Sequence, residues 1–96
     1  MTTKKRRTVE RVQTGVRMEK RLVLVLKAIA GAHDLTFGDL LEGIVLHAFE
    51  GKAPFGPESL AKIAALRDVY KLDLTAADSH LLVEAKATSR YRSPSR

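Results

Sequence analysis

The chain contains no cysteine, which excludes disulfides and thiolate metal sites as sources of stability or chemistry. It has no long hydrophobic run either. The most apolar stretch, residues 22–30, is broken by Lys27 and followed by polar, turn-forming residues. That stretch is shorter than the roughly 20 apolar residues a membrane-spanning helix needs, and it lacks the form of a secretory signal. The expectation is a soluble, cytoplasmic protein. There is no glycine-rich phosphate loop and no internal repeat beyond a rhythm of helix pairs. The three histidines, His33, His47 and His80, show no HxxxH-type ligand spacing, so no metal site is expected. Asp73, Asp78 and Glu84 have no accompanying nucleophile, and Asp78 sits where a helix cap is needed. Solvated carboxylates are the simpler reading, so neither catalysis nor a cofactor is expected.

What the chain does have is a segregated charge. Its 96 residues carry a formal net charge of +6. Residues 1–21 hold eight basic side chains (Lys4, Lys5, Arg6, Arg7, Arg11, Arg17, Lys20, Arg21) against Glu10 and Glu19, while the remainder holds nine of each sign. The whole excess therefore lies in the first 21 residues. Local concentration of positive charge is the electrostatic footprint of a polyanion-binding surface, although a solvated, solubilising tail has the same composition. At 45% hydrophobic, the chain can build a core. A domain this short buries a modest fraction of its surface, and dimerisation is a usual remedy.

Along the chain, the short, polar and basic residues 1–11 are expected to form a flexible arm. From Val12 the pattern alternates: Val12, Thr14, Val16 and Met18 share one face, and Arg11, Gln13, Gly15 and Arg17 the other, as in a half-buried strand. A lone strand leaves its backbone groups unpaired, and no second strand follows, so the natural partner is another copy of the same strand. Residues 19–33 place Leu22, Val25, Leu26, Ile29 and Ala30 at helical spacing, with Val23 and Leu24 on the opposite face. A helix apolar on two sides is usually buried on two sides. Asp34 and Leu35 form a turn. Thr36 to Asp39 has the form of a capping box, and Phe37, Leu40, Leu41, Ile44, Val45, Ala48 and Phe49 continue as a second helix until Gly51 and Pro54 end it. Gly43, in mid-helix, fits either close approach by another helix or simple tolerance of a glycine there. Pro57 opens a third helix with a Leu60, Ile63, Leu66, Tyr70 stripe. Thr75 and Asp78 cap a fourth that runs to about residue 87, with Leu81, Leu82 and Ala85 inward. Residues 88–96 are Ser/Arg-rich and expected to be disordered.

The order strand, helix, capped turn, helix, with basic charge on the strand side, resembles the ribbon-helix-helix (Arc/MetJ/CopG-like) family of bacterial DNA-binding proteins. The resemblance is carried by Gln13-Thr14-Gly15-Val16-Arg17-Met18, the apolar first helix, and Leu35-Thr36-Phe37-Gly38-Asp39-Leu40-Leu41. It covers residues 12–49, less than half the chain. It implies a mainly α fold with one N-terminal β-strand. Two chains would intertwine as a homodimer, with two further C-terminal helices appended. The paired strands would form a ribbon in the major groove, with Gln13, Gly15 and Arg17 facing base edges and Thr14, Val16 and Met18 closing the core beneath. Thr36, Phe37 and Gly38, at the start of the second helix, would hold phosphates through free amides and the helix dipole. Lys4, Lys5, Arg6, Arg7 and Arg11 would contact further phosphates. Gly15, which has no side chain, departs from this pattern at the middle reading position, and Asp34 stands where the family often has glycine.

The domain division follows: a basic arm at 1–11, a DNA-binding and dimerisation domain at 12–50, a helical extension at 51–87, and a tail at 88–96. The function implied is that of a sequence-specific, nucleoid-associated DNA-binding regulator of transcription, a repressor. The alternative is an antitoxin or plasmid-partition-type module whose C-terminal helices hold a protein partner, or pack on the dimer to stabilise a higher oligomer.

Overall fold

Helix α1 (Lys20–Ala32) begins where the Glu19 carboxylate accepts the Leu22 amide at 3.0 Å. That bond satisfies one of the donors a helix start leaves unpaired and sets negative charge at the positive end of the dipole. The helix ends as the chain turns left-handed at Asp34 (φ 58°). There the Leu35 amide returns to the Ala30 carbonyl at 2.8 Å and the Asp34 amide to Gly31 at 3.1 Å, the paired bonds of a Schellman stop. Asp34 thus adopts the conformation that glycine would favour.

Thr36 Oγ1 then accepts the Asp39 amide at 3.0 Å and opens α2 (Phe37–Phe49). A second Schellman stop follows at Gly51 (φ 70°), where the Lys52 amide donates to His47 at 2.8 Å. Pro57 stands in the first turn of α3 (Pro57–Val69). Its stop uses Lys71 (φ 57°), with the Leu72 amide donating to Arg67 at 2.8 Å. These are the elements of a computed structural model that describes residues 6–85.

The core is small. Val25, Ile29 and Ala30 of α1 are buried against Leu40 of α2 and Leu72 just after α3, and among the described residues Ile29 is the only side chain fully enclosed (1% exposed). Leu22, Leu26, Ile44, Phe55, Ile63, Leu66, Tyr70 and Leu74 pack around this cluster. Helix α1 is the hub: it packs against both α2 and α3, and those two do not pack against each other. The apolar periodicity of α1 thus names its share of the core, whereas on α2 Leu40 and Ile44 face it and Val45, Ala48 and Phe49 of the same periodic set are exposed. On α3, Ile63, Leu66 and Tyr70 are half-buried while Leu60 is exposed.

Two expectations are overturned. Among the described residues there is no β-strand. The segment at 12–18 is irregular, so the N-terminal strand and the ribbon of the ribbon-helix-helix architecture are not formed. Alternation only orients side chains on a strand once a ladder exists, and no described segment offers the backbone of 12–18 a partner. Its intended inner face stays in solvent, with Val12 83% and Val16 68% exposed. The second correction concerns the C-terminal helices, of which only α3 forms among the described residues. Thr75 and Asp78 do make a capping box, with the Thr75 amide on Asp78 Oδ2 at 2.8 Å, but it closes a single 3-10 turn (Ala76–Asp78). Ser79 leaves helical geometry (ψ 133°) and His80 turns left-handed (φ 68°). Most helical stability comes from packing an amphipathic face. Here Leu81, Leu82 and Val83 find no surface to cover them, and Val83 is 91% exposed.

No helix among the described residues is long and apolar enough to cross a membrane. Close approach by another helix does not explain Gly43 within this chain: a Cβ there would meet no atom within 4 Å. Replacing a mid-helix glycine with alanine removes backbone entropy from the unfolded chain at no steric penalty here. Gly43→Ala is therefore expected to raise stability by about 1 kcal/mol, measured as an upward shift of the urea unfolding midpoint. A loss of stability would show that something outside the chain packs on that side of α2.

Candidate nucleic-acid interface

The basic segment before α1 lies over the outer side of α2, fastened by side chains alone. Arg11 donates from Nε to Glu42 Oε2 and from Nη2 to Glu42 Oε1, both at 2.8 Å, and its Nη2 lies 3.8 Å from Asp39 Oδ1. This parallel two-bond geometry matches a guanidinium fork to a carboxylate. It raises the Arg11 pKa further above its ordinary range and lowers that of Glu42, chiefly through the hydrogen bond between them. Arg17 pairs with Glu84 from the far end of the described chain. The segment is thus tied near both ends of 11–17, with Gln13 and Gly15 exposed between the ties.

Arg21 has a different role from the rest of the basic cluster. Its Nε donates to Glu19 at 2.9 Å, and its Nη1 donates to the Lys71 carbonyl at 2.7 Å and reaches Asp73 at 3.4 Å. It fastens the start of α1 to the chain leaving α3. The Glu19 hydrogen bond is the main cause of its raised pKa. Burial pushes the Glu19 pKa up, but the hydrogen bonds from Arg21 and the Leu22 amide outweigh it, and the net direction is down. In the sequence Arg21 is one of eight basic residues in 1–21, with nothing to set it apart. The nearby Asp73 was visible, but nothing in the spacing joined the two.

The remaining expected contacts divide clearly. Arg6 and Arg7 are exposed and have no carboxylate partner among the described residues. Lys4 and Lys5 lie outside the described residues. Thr36 and Gly38 are exposed at the start of α2 and Phe37 is half-buried, with Lys27 Nζ 5.9 Å from the Phe37 ring centroid. That cation adds positive charge beside the α2 N-terminus, whereas Asp39 in its first turn opposes an incoming anion. Gln13, Gly15 and Arg17 do not form a row on a ribbon. They are accessible positions on an irregular segment, and a Cβ at Gly15 would meet nothing within 4 Å.

Beside this segment, Val9, Arg11, Leu41, Val45 and Leu46 line an open groove of about 560 Å³. Beyond it α2 continues apolar into solvent, ending at Phe49, 82% exposed. A smaller hollow of about 220 Å³ lies between the connector and the core side of α2, with His33 and His47 in its wall. His47 Nδ1 is already engaged by the Gly43 carbonyl at 2.7 Å, and His33 Nε2 lies 3.4 Å from Ser59 Oγ. Among the described residues no group of three His, Asp or Glu side chains converges as a metal site would require. No protein-family model, curated protein or solved structure matches the chain.

The Arg11–Glu42 pair carries its own pH signature. Because the Glu42 pKa is lowered, the pair contributes fully above the ordinary carboxylate range and is lost as pH falls through the lowered value. In an NMR titration the Glu42 carboxyl midpoint is expected below the usual glutamate value, and Arg11→Ala should return it there. A midpoint that Arg11→Ala leaves unchanged would place the cause elsewhere.

Proposed function

We propose that this chain binds double-stranded DNA as a homodimer and acts as a transcriptional regulator. The observation that supports the reading best is the placement of charge. The entire net +6 falls in residues 1–21, and of that stretch residues 6–18 are exposed and outside any helix or strand. Basic segments of this kind follow phosphates and enter grooves as arms. In this reading Lys4, Lys5, Arg6, Arg7 and Arg11 contact phosphates, Thr36 to Gly38 offer a further phosphate position, and Gln13 and Arg17 reach base edges. Bidentate contacts from Arg to guanine and from Gln to adenine discriminate by about 1–3 kcal/mol each. Without a ribbon, the resemblance contributes less than the charge does.

The dimer is supported by what the small core leaves over. Val45, Leu46 and Phe49 form an apolar face on α2 left 43%, 64% and 82% exposed, and a second copy of α2 is an occupant of matching length and character. A second reading, an interaction module for another protein, is favoured by one specific feature. Leu81, Leu82 and Val83 stand exposed on non-helical backbone after the 3-10 turn, where a partner could take them up.

Three measurements test this. Arg7→Ala should weaken binding to cognate and random duplexes alike and reduce the slope of log affinity against log salt by about 0.9. Arg17→Ala should instead relax base preference in a selection from a random duplex pool, and equal losses on cognate and random duplexes would remove its reading role. In sedimentation the protein should be a dimer at micromolar concentration and Phe49→Asp a folded monomer. A wild-type monomer would refute the dimer.

A further inference from the structure

We propose that Glu42 and Glu84 act as internal stand-ins for a nucleic acid, so that binding a duplex exchanges the Arg11–Glu42 pair for one with phosphate and releases Arg17 from Glu84, for phosphate on any duplex and for base edges on a cognate one. The inference rests on the reading of residues 1–21 as a nucleic-acid-binding segment and concerns how that segment is held before it binds. Three observations carry it. The two arginines that bracket Gln13 and Gly15 are each engaged by a carboxylate distant in sequence, Arg11 by α2 and Arg17 by the C-terminal segment. Glu42 meets Arg11 fork to fork at 2.8 Å on both arms, the same two-bond geometry with which arginine takes a phosphate. Finally, segment 6–19 belongs to no sheet or helix up to its Glu19 cap, so these side-chain pairs are its evident fastenings to the body.

Arg6 and Arg7, which lack such partners among the described residues, stand ready for a first, nonspecific encounter. Arg11 and Arg17 then become available only by leaving Glu42 and Glu84. The segment therefore has a resting position on the protein and a bound position on the polyanion. Exposed pairs of this kind are weak enough to be exchanged, and a phosphate supplies both the charge and the acceptor oxygens that each arginine gives up.

Trypsin reads the latch directly in the full-length protein, because it must draw the arginine side chain into its own acidic pocket to cleave. With cleavage after Arg7 as the internal reference, Glu42→Gln should speed early cleavage after Arg11 by about two- to fivefold, the range open to an exposed pair. Glu84→Gln should do the same after Arg17. The second readout is affinity for a random-sequence duplex. The Glu42→Gln/Glu84→Gln double variant should bind more tightly than Glu50→Gln/Glu58→Gln, which removes the same charge away from both arginines. Unchanged cleavage in the variants would overturn the latch, and equal tightening by both double variants would overturn the exchange. Faster cleavage combined with no duplex binding by any form, wild type included, would overturn the nucleic-acid reading and leave the pairs as fastenings only.

Discussion

Everything in this chain is arranged around how little α1 can bury. Among the described residues Ile29 is the one side chain fully enclosed, and Val25, Ala30, Leu40 and Leu72 complete a core of five buried residues. Because α2 and α3 each meet α1 but not each other, each has one line of contact and leaves the rest of its surface free. A helix needs tertiary cover for most of its stability. Here local devices supplement it: a side-chain cap on α1 and α2, proline in the first turn of α3, and a Schellman stop on all three. Two of those stops place Asp34 and Lys71 in left-handed backbone, a conformation that L-residues adopt at some energetic expense. Precise endings keep the three helices at the lengths that let their short apolar lines converge.

The same shortage explains the surface. Helix α2 follows helical periodicity on two adjoining lines. One, through Leu40 and Ile44, meets α1, while the other, through Val45 and Phe49, has nothing to meet. In a monomer that second line exposes apolar area without return, which is why it weighs toward a partner. The basic segment lies along this same side through Arg11, next to the apolar groove. Arg7 and Arg11 share the wall of that groove with Val45 and Leu46, so charge for a polyanion and apolar surface for a protein adjoin on α2.

The helices were legible in the sequence because their signals are local. Thr36 with Asp39, Gly51 with Pro54, and Pro57 each state a boundary in a few residues, and the Val25, Ile29, Leu40 periodicity names the core. The strand at 12–18 was misread because alternation is a statement about faces and not about pairing. It describes a strand only where another backbone completes the ladder, and that condition is not written in the segment itself. The fourth helix failed in a related way. Thr75 and Asp78 made their capping box, but a cap opens a helix without sustaining it, and Leu81 to Val83 had no face to settle on. The ties Arg11–Glu42, Arg17–Glu84 and Arg21–Asp73 were invisible because 31, 67 and 52 residues separate the partners.

These long-range pairs alter what a charge count means. The first 21 residues were counted as a uniform block, yet Arg21 serves the fold, Arg11 and Arg17 are engaged by carboxylates, and Arg6 and Arg7 have no such partner among the described residues. If Arg11 and Arg17 must leave Glu42 and Glu84 before meeting a duplex, the same penalty applies to every sequence. It lowers all affinities together and leaves their ratio untouched. What shifts is occupancy at a given protein and salt concentration. Nonspecific binding is weak and electrostatic, so it falls below significance first, while a site that also engages Gln13 and Arg17 through base edges has affinity in reserve. Pairing Arg11 and Arg17 with internal carboxylates would thus limit idle occupancy along DNA without any change in the contacts that tell one site from another.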